Sequence, residues 1–233
     1  MTTELVVVET TAFASAAARR LMVELQRVLE SQERCSLALS GGSTPRPVYE
    51  CLAAESAGDV WGRVDVFFGD ERCVRPTDPA SNFRMAREAL LDRVPVDPAH
   101  VHRMEGERAD RDTAALTYEA ILPARLDVLI LGLGDDGHTA SLFPSAPSLA
   151  ERGRRVVAVR APRPPFDRLT ITPPVILEAR LTVALVAGAD KALALARVID
   201  GAYEPSRTPG QLARAGLWIT DTAAAARLKA ARR

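Results

Sequence analysis

Short runs of apolar and β-branched residues alternate along the chain with longer segments whose apolar positions recur at helical spacing. This alternation is typical of a mostly parallel sheet with helices on both faces. The apolar runs predict strands at residues 5–8, 36–39, 64–68, 128–131, 156–159, 169–171, 181–186 and 217–219. The amphipathic segments predict helices at residues 13–29, 45–54, 82–91, 113–122, 191–199 and 222–229. The expected fold class is therefore α/β.

Two proline-rich segments, residues 161–166 and 172–175, interrupt this pattern. Proline cannot donate to a sheet ladder, so both segments are predicted to be loops on either side of a short strand at residues 168–172. The basic segment 229–233 is predicted to be a frayed, solvated tail. No repeat or linker divides the chain, which predicts a single domain over residues 1–233.

The overall composition narrows the function classes. Hydrophobic residues make up 47% of the 233 residues and charged residues 26%, an ordinary globular mixture. Lys plus Arg equals Asp plus Glu at 30 each, so the chain has no net field to hold nucleic acid. Three cysteines without CxxC spacing favour a reducing compartment. No basic leader and no apolar run of about 20 residues occurs, so we expect a cytoplasmic protein without membrane contact.

Candidate chemistry is concentrated where predicted strands end. In doubly wound sheets, ligands bind beyond the carboxyl ends of the strands. Residues that directly follow an apolar run are therefore the most informative. Segments 40–45, 69–72, 132–138 and 188–191 all have this position and all carry polar or glycine residues.

The first of these segments resembles a phosphate cradle. Gly41 and Gly42 let the backbone approach an anion, Ser43 and Thr44 offer hydroxyl groups, and Pro45 suits the first position of a helix. The alternative is a tight turn in which Ser43 or Thr44 is a plain N-cap. The segment lacks the lysine of a Walker A loop, so a nucleoside triphosphate is not indicated.

Two further segments bring charge to the same sheet edge. Asp70, Glu71 and Arg72 follow one strand, and the planar guanidinium of Arg72 suits a phosphate or carboxylate clamp. Exposed ion pairs are the alternative for this cluster. Lys191 follows another strand at a helix start and is predicted to complete the phosphate site, although an ordinary surface lysine fits the same spacing.

Segment 132–139 contains GxGxxG, the pattern of dinucleotide-binding loops. We reject that interpretation because the carboxylates of Asp135 and Asp136 oppose a pyrophosphate. The segment instead places Asp136 and His138 at a strand-to-helix turn, where the imidazole can take a proton from water. A structural histidine is the alternative. His100 and His102 lack a third ligand at metal-binding spacing, and no GxSxG elbow occurs, so neither a metal site nor a serine hydrolase is predicted.

Taken together, the motifs resemble the 6-phosphogluconolactonase family. They are LSGGSTP at 39–45, GDER at 69–72 followed by Ser81-Asn82-Phe83, GLGDDGHTASLFP at 132–144, and AGADKA at 187–192. Their order and spacing match along nearly the whole chain. The resemblance extends to a larger group with a modified Rossmann-like sheet, which includes glucosamine-6-phosphate deaminase/isomerase and ribose-5-phosphate isomerase. Residues 139–144 resemble the lactonases rather than the deaminases, whereas Phe83 stands where the family usually has an aromatic residue with a hydroxyl group.

The resemblance implies hydrolysis of 6-phospho-D-glucono-1,5-lactone to 6-phosphogluconate, with no metal or cofactor. It implies that His138 is the general base and that Asp70 and Asp136 orient it or the sugar hydroxyls. Loop amides around Gly137 are candidate oxyanion donors. The implied phosphate ligands are Gly41, Gly42, Ser43, Thr44, Arg72 and Lys191. We expect a monomer or small homo-oligomer. The alternatives are a deaminase/isomerase of aminosugar phosphates and a non-catalytic sugar-phosphate sensor, for which no DNA-binding segment is found.

Overall fold

The structure, a computed structural model, describes residues 3–55 and 58–229. Its central sheet has six strands: β1 Glu4–Val8, β2 Cys35–Leu39, β3 Val64–Phe68, β5 Val128–Gly132, β8 Leu181–Val186 and β9 Leu217–Asp221. These strands are all parallel and lie in the order β1-β9-β8-β5-β2-β3. A second sheet, antiparallel and three-stranded, has the order β4-β7-β6, with β4 Asp70–Arg72, β6 Val156–Arg160 and β7 Asp167–Ile171.

Helices cover both faces of the central sheet. They are α1 Phe13–Leu29, α2 Pro45–Ala54, α3 Gly58–Trp61, α4 Asn82–Ala89, α5 Arg111–Ile121, α6 Pro173–Glu178, α7 Ala192–Asp200 and α8 Thr222–Ala225. Strand β5 shows why two layers are needed, since successive side chains of a strand point to opposite faces. Val128 and Ile130 pack with α1, α2 and α4, whereas Leu129 and Leu131 pack with α5 to α8. The predicted α/β class, with a mostly parallel sheet and helices on both faces, is confirmed.

The chain changes direction across the sheet between β2 and β5. From β2 it continues through α2 to the neighbouring edge strand β3, whereas from β5 it continues to β8 on the opposite side. Loops that leave adjacent parallel strands in opposite directions open a crevice at the carboxyl edge of the sheet. The segments that follow β2 and β5 therefore face each other across this crevice.

Two buried tyrosines fix the strand ends beside the crevice. The hydroxyl of Tyr49, on α2, accepts from the amide of Ser40 and donates to its carbonyl, both at 2.9 Å. The hydroxyl of Tyr118, on α5, does the same for Phe68 at 2.7 and 3.1 Å. Burial raises the pKa of both phenols, so they remain protonated donors. Each tyrosine satisfies both backbone groups of a residue at the end of a strand.

Three sequence predictions were wrong in part. Residues 172–175 are not only a loop, because Pro173 and Pro174 occupy the first turn of α6, where a missing amide hydrogen costs nothing. Segment 70–72 is a strand paired with β7 and not simply a strand-end loop. The predicted strands near 156–159 and 168–172 exist, but they belong to the antiparallel second sheet.

Several helix ends also differ from the predictions. α4 ends at Ala89, α8 ends at Ala225, and α5 begins at Arg111 because the Asp110 side chain accepts from the amide of Thr113. A 3₁₀ turn, Ala189–Lys191, precedes α7. Of the predicted tail, residues 230–233 lie outside the described residues. Within residues 3–55 and 58–229, no helix is both long and apolar enough to cross a membrane.

We call the two hydrogen bonds from one tyrosine hydroxyl to the amide and carbonyl of one residue a tyrosine clamp. The clamp at Tyr118 predicts that Tyr118→Phe lowers the stability of the protein. Removing the hydroxyl leaves the buried amide and carbonyl of Phe68 without their partner, which costs about 1–3 kcal/mol. Urea unfolding should show a lower midpoint with an unchanged slope. Tyr203→Phe, at a tyrosine that is 57% exposed, is the matched control and should change stability by less than about 0.5 kcal/mol. Equal stability of the two variants would contradict the clamp.

Candidate active site

A cleft opens at the crevice between β2 and β5. It gathers most of the residues predicted for the site: Gly41, Gly42, Ser43, Thr44, Asp70, Arg72, His138 and Lys191. Asp136 and Gly137, in the same loop as His138, are not among the residues that line this cleft. The cleft is also lined by residues that were not predicted, chief among them Ala140 and Arg168.

The local geometry of the loop after β2 requires glycine at two positions, 41 and 42. A Cβ on Gly41 would lie 1.8 Å from Oδ1 of Asn82, so only glycine allows Asn82 to pack over the loop. Gly42 has a φ of 110°, a conformation that side-chain-bearing residues rarely adopt. Thr44 stands at the N-cap of α2, and no side-chain hydrogen bond caps this helix. A plain side-chain N-cap is therefore not formed at the start of α2. Pro45 and Pro47 carry no amide hydrogen, so the amides suited to an anion here are those of Arg46 and of the preceding loop.

Lys191 reaches the cleft from the opposite side. The turn before it depends on Gly188, whose φ is 99° and whose amide donates to Oδ1 of the fully buried Asp221 at 3.1 Å. The Lys191 ammonium lies 3.3 Å from Asp190 Oδ2, and its side chain is only 21% exposed. Lys191 is one of two lysines in the chain, the other being Lys229. Its ammonium brings a positive charge to the cleft that also contains the α2 helix start.

Arg168 is a cleft residue that sequence reasoning missed. It lies on β7, its side chain is 11% exposed, and its Nε donates to the carbonyl of Pro165 at 2.9 Å. Burial lowers the pKa of its guanidinium, which nevertheless stays charged. The prediction treated residues 168–172 only as a short strand between loops. A charged residue that begins an otherwise apolar, β-branched run was the available signal.

Asp70 is deeply buried, and its carboxylate interacts with Asn82, Ser141 and Arg168. Asn82 Nδ2 donates to its Oδ1 at 3.0 Å, Ser141 Oγ donates to its Oδ2 at 2.6 Å, and Arg168 lies 3.9 Å from Oδ2. Its side chain is 8% exposed. Within the part of the chain that the structure describes, Asp70 makes no hydrogen bond to His138. The geometry gives Asp70 contacts that join three segments of the site.

Glu71 has a structural role next to Asp70. Its carboxylate accepts from the backbone amides of Arg72, Asn82 and Phe83 and from the hydroxyl of Ser81. Burial raises the pKa of this carboxyl, although the amide bonds act in the opposite direction. These bonds hold the start of α4, and through it Asn82, against the cleft. The alternative of an exposed ion-pair cluster does not describe this segment.

His138 and Asp136 form a close pair. The distance from His138 Nδ1 to Asp136 Oδ1 is 2.6 Å, and the backbone amide of His138 donates to the same oxygen at 2.9 Å. Burial by itself raises the pKa of the Asp136 carboxyl, but the bonds from His138 outweigh burial and lower the pKa to about 2. An ionised carboxylate only accepts, so the proton of a neutral His138 ring resides on Nδ1. Nε2 is left free to accept a proton.

The surroundings of His138 keep the ring in place. A Cβ on Gly134 would lie 2.0 Å from Nδ1, so the imidazole packs directly over this glycine. On another side the ring lies against Phe143, with 4.9 Å between centroids. Gly137, with a φ of 94°, closes the turn, and its carbonyl accepts from the amide of Gly210 at 2.8 Å. These contacts fix both the orientation and the tautomer of the histidine.

The other two histidines lie outside the cleft. His100 Nδ1 is 2.6 Å from Asp65 Oδ1, and the ring of His102 stacks on Phe67 with 4.6 Å between centroids. In segments 3–55 and 58–229, no group of three or more His, Cys, Asp or Glu side chains is placed to hold a metal ion. The three cysteines are free.

The site combines a glycine-rich loop and positively charged side chains, which suit an anion, with a histidine bonded to an aspartate, at the switch point of a parallel sheet. Such a combination suits acid–base chemistry on a phosphorylated small molecule and defines an enzyme of that class. The family model for glucosamine-6-phosphate isomerases/6-phosphogluconolactonase matches residues 9–220. The chain belongs to this family.

Individual relatives refine the comparison. The chain is 39% identical over 219 residues to a 6-phosphogluconolactonase of Synechocystis sp., covering 88% of this chain and 89% of that protein. The solved 6-phosphogluconolactonase from Trypanosoma cruzi superposes with a TM-score of 0.84 at 28% identity, covering 98% of each chain. A monomeric glucosamine-6-phosphate deaminase shares the fold, with a TM-score of 0.84 at 19% identity, covering 96% of this chain and 99% of that one. The predicted family and its lactone-hydrolysing enzyme class are confirmed.

The hydrogen-bonded pair of His138 and Asp136 predicts that the pKa of the Asp136 carboxyl depends on His138. The folded-state pKa of about 2 lies below the ordinary 3.8, so ionised Asp136 contributes stability above about pH 4 that is lost as the pH falls through 2. In His138→Ala the ring donor is gone while the backbone donor remains. We expect NMR of the Asp136 carboxyl carbon to show its pKa rising toward 3.8.

His100→Ala is the matched control for this titration, because His100 bonds to Asp65 instead. It should leave the pKa of Asp136 unchanged. An Asp136 carboxyl that titrates near 3.8 in the unsubstituted protein would contradict the pairing.

Proposed function

We propose that this enzyme hydrolyses 6-phospho-D-glucono-1,5-lactone to 6-phospho-D-gluconate, with His138 as the general base that activates water. The observation that carries the proposal is the 2.6 Å contact between Asp136 and His138, which lines the same cleft as the loop before α2. The relatives named 6-phosphogluconolactonase, matched over most of the chain, support the same substrate.

The phosphate group is proposed to bind at the start of α2. Backbone amides and hydroxyls of Gly41, Gly42, Ser43 and Thr44 surround the position, and the helix dipole favours a dianion. The ammonium of Lys191 adds a point charge from the facing loop. The guanidinium groups of Arg72 and Arg168 line the same cleft and add two further positive charges. Fixing the phosphate places the lactone ring against His138.

Hydrolysis then needs one base. Nε2 of His138 takes a proton from water as the water oxygen bonds to the lactone carbonyl carbon. Ionised Asp136 stabilises the imidazolium that forms. When the bond between this carbon and the ring oxygen breaks, the imidazolium returns the proton to that oxygen. A lactone is a reactive ester, and positioning plus general-base catalysis of roughly 10²- to 10⁴-fold accounts for the reaction without a covalent intermediate.

Asp70 is proposed to be a positioning residue. Its carboxylate is engaged by Asn82 and Ser141, so it supports the segments around the substrate and leaves the proton transfer to His138. Of the two aspartates assigned by resemblance, Asp136 is therefore proposed as the partner of the base. This division follows from which carboxylate touches the imidazole.

The general-base assignment predicts that His138→Ala lowers kcat for the lactone by about 10²- to 10⁴-fold. Inhibition by the product should keep its inhibition constant within about threefold, because the phosphate is held by other loops. Lactone disappearance, corrected for spontaneous hydrolysis, measures both. His100→Ala serves as the control and should retain full activity. Unchanged turnover in His138→Ala would refute the assignment.

The phosphate site predicts substrate discrimination by Lys191. Lys191→Ala removes one charge-assisted contact worth about 1.5–3 kcal/mol, so kcat/KM for the phosphorylated lactone should fall about 10- to 150-fold. For unphosphorylated glucono-1,5-lactone it should stay within about threefold. Lys229→Ala, at the other lysine, should affect neither substrate. Equal losses on both lactones would show that Lys191 does not contact the phosphate.

One assay separates the proposal from the deaminase alternative, which uses the same fold. Incubation with glucosamine-6-phosphate should release no ammonia while the lactone is consumed above its spontaneous rate. Ammonia release without an effect on the lactone would overturn the proposed reaction.

A further inference from the structure

Several hydrogen bonds hold the turn that follows His138. The Thr139 hydroxyl donates to the carbonyl of Gly132 at 2.9 Å, and the amide of Leu142 donates to the carbonyl of Thr139 at 2.9 Å. Thr139 and Leu142 also form an isolated antiparallel bridge. Between them, the Ser141 amide donates to Thr170 Oγ1 at 3.1 Å and the Ser141 hydroxyl donates to Asp70. The turn is therefore pinned on both sides of Ala140.

Ala140 combines a free amide with a position in the cleft wall. Among the residues that the structure describes, the amides of Thr139 and Ala140 both lack a hydrogen-bond partner, and of the two only Ala140 lines the cleft. Its φ is 48°, a left-handed conformation that alanine adopts at a cost. Its methyl group packs against the buried core cluster, while the residue as a whole lines the cleft. A backbone donor at a cleft wall needs a partner, and the cleft is where that partner can bind.

From this geometry we infer that the backbone amide of Ala140 is the oxyanion donor of the lactonase reaction. The inference rests on the proposed function. It replaces the sequence expectation of amides around Gly137, since the Gly137 amide donates to the carbonyl of Gly134 at 3.0 Å and the His138 amide donates to Asp136. Ala140 is two residues from the general base, so one short segment supplies both groups.

In the proposed reaction, the Ala140 amide acts at one step, the formation of the oxyanion. As the water oxygen bonds to the carbonyl carbon, the carbonyl electron pair moves onto its oxygen, which becomes an oxyanion. The Ala140 amide hydrogen-bonds to that oxyanion. When the carbonyl re-forms, the bond to the ring oxygen breaks and that oxygen receives the proton held by His138. A donor fixed before the reaction needs no reorganisation, which is the source of oxyanion-hole catalysis.

The decisive experiment removes only this amide hydrogen. Replacing Ala140 by L-lactic acid through nonsense suppression substitutes an ester for the Thr139–Ala140 peptide bond. Loss of one oxyanion donor should lower kcat by about 10²- to 10³-fold while KM changes less than about threefold. The same replacement at Ala202, whose amide also has no partner among the described residues, should leave both constants unchanged.

A second ester separates a lost donor from a loosened turn. An ester also weakens the Thr139 carbonyl, which accepts from the Leu142 amide. Replacing Leu142 by the corresponding α-hydroxy acid breaks that hydrogen bond and leaves the Ala140 amide intact. We expect kcat to fall less than about fivefold. A loss as large as at Ala140, or an Ala140 ester with unchanged kcat, would overturn the inference.

Conventional variants test the same point if the ester protein does not fold. Ala140→Gly keeps the amide and accepts a positive φ, so it is the reference for a larger side chain at this position. Ala140→Val disfavours that φ and displaces the amide, so kcat should fall at least about tenfold with little change in KM. Equal kcat for the two variants would contradict the assignment. Lactone turnover by the unsubstituted enzyme tests the proposed function separately, since the inference can fail while that activity stands.

Discussion

The site depends on one buried carboxylate, that of Asp70. It receives hydrogen bonds from Asn82 at the start of α4 and from Ser141 in the catalytic loop, and it lies beside Arg168 on β7. A buried charge of this kind must be matched by donors, so the three segments cannot separate without a large cost. Asn82 in turn packs over Gly41 of the loop after β2. The hydrogen bonds of Asp70 and this packing thereby set the spacing between the proposed anion site and the turn that follows His138.

The sheet explains why these segments meet at all. Loops from β2 and β5 diverge at the carboxyl edge, and the small second sheet supplies Asp70, Arg72 and Arg168 as an additional wall. A deaminase shares this scaffold, so the scaffold alone does not select the reaction. We attribute the difference to the residues that follow the histidine, where Ala140 and Ser141 lie between His138 and Asp70. Lactone chemistry is attributed to this turn because it combines a base with a free amide.

Sequence patterns predicted the features that depend on residues close together in the chain, namely the strands and the polar segments that follow them. The central strands are mostly apolar runs, and the glycine-rich and charged segments at their ends mark the proposed site. Three features depend on residues 50 to 100 positions apart, for which one sequence offers no periodic signal. They are the pairing of Asp70–Arg72 with β7, the hydrogen bonds of Tyr118 to Phe68 and the contact of Arg168 with Asp70. The helix at Pro173–Glu178 was missed because its prolines, which break helix interiors, occupy its first turn.

The most direct test of the account is a crystal structure of the enzyme with bound 6-phosphogluconate. We predict that the phosphate lies against the amides of Gly41 to Thr44 and the ammonium of Lys191. The carboxylate carbon that derives from the lactone carbonyl should face His138, with an oxygen about 3 Å from Nε2 and another about 3 Å from the Ala140 amide. A phosphate bound at His138, or a carboxylate remote from both groups, would contradict the account.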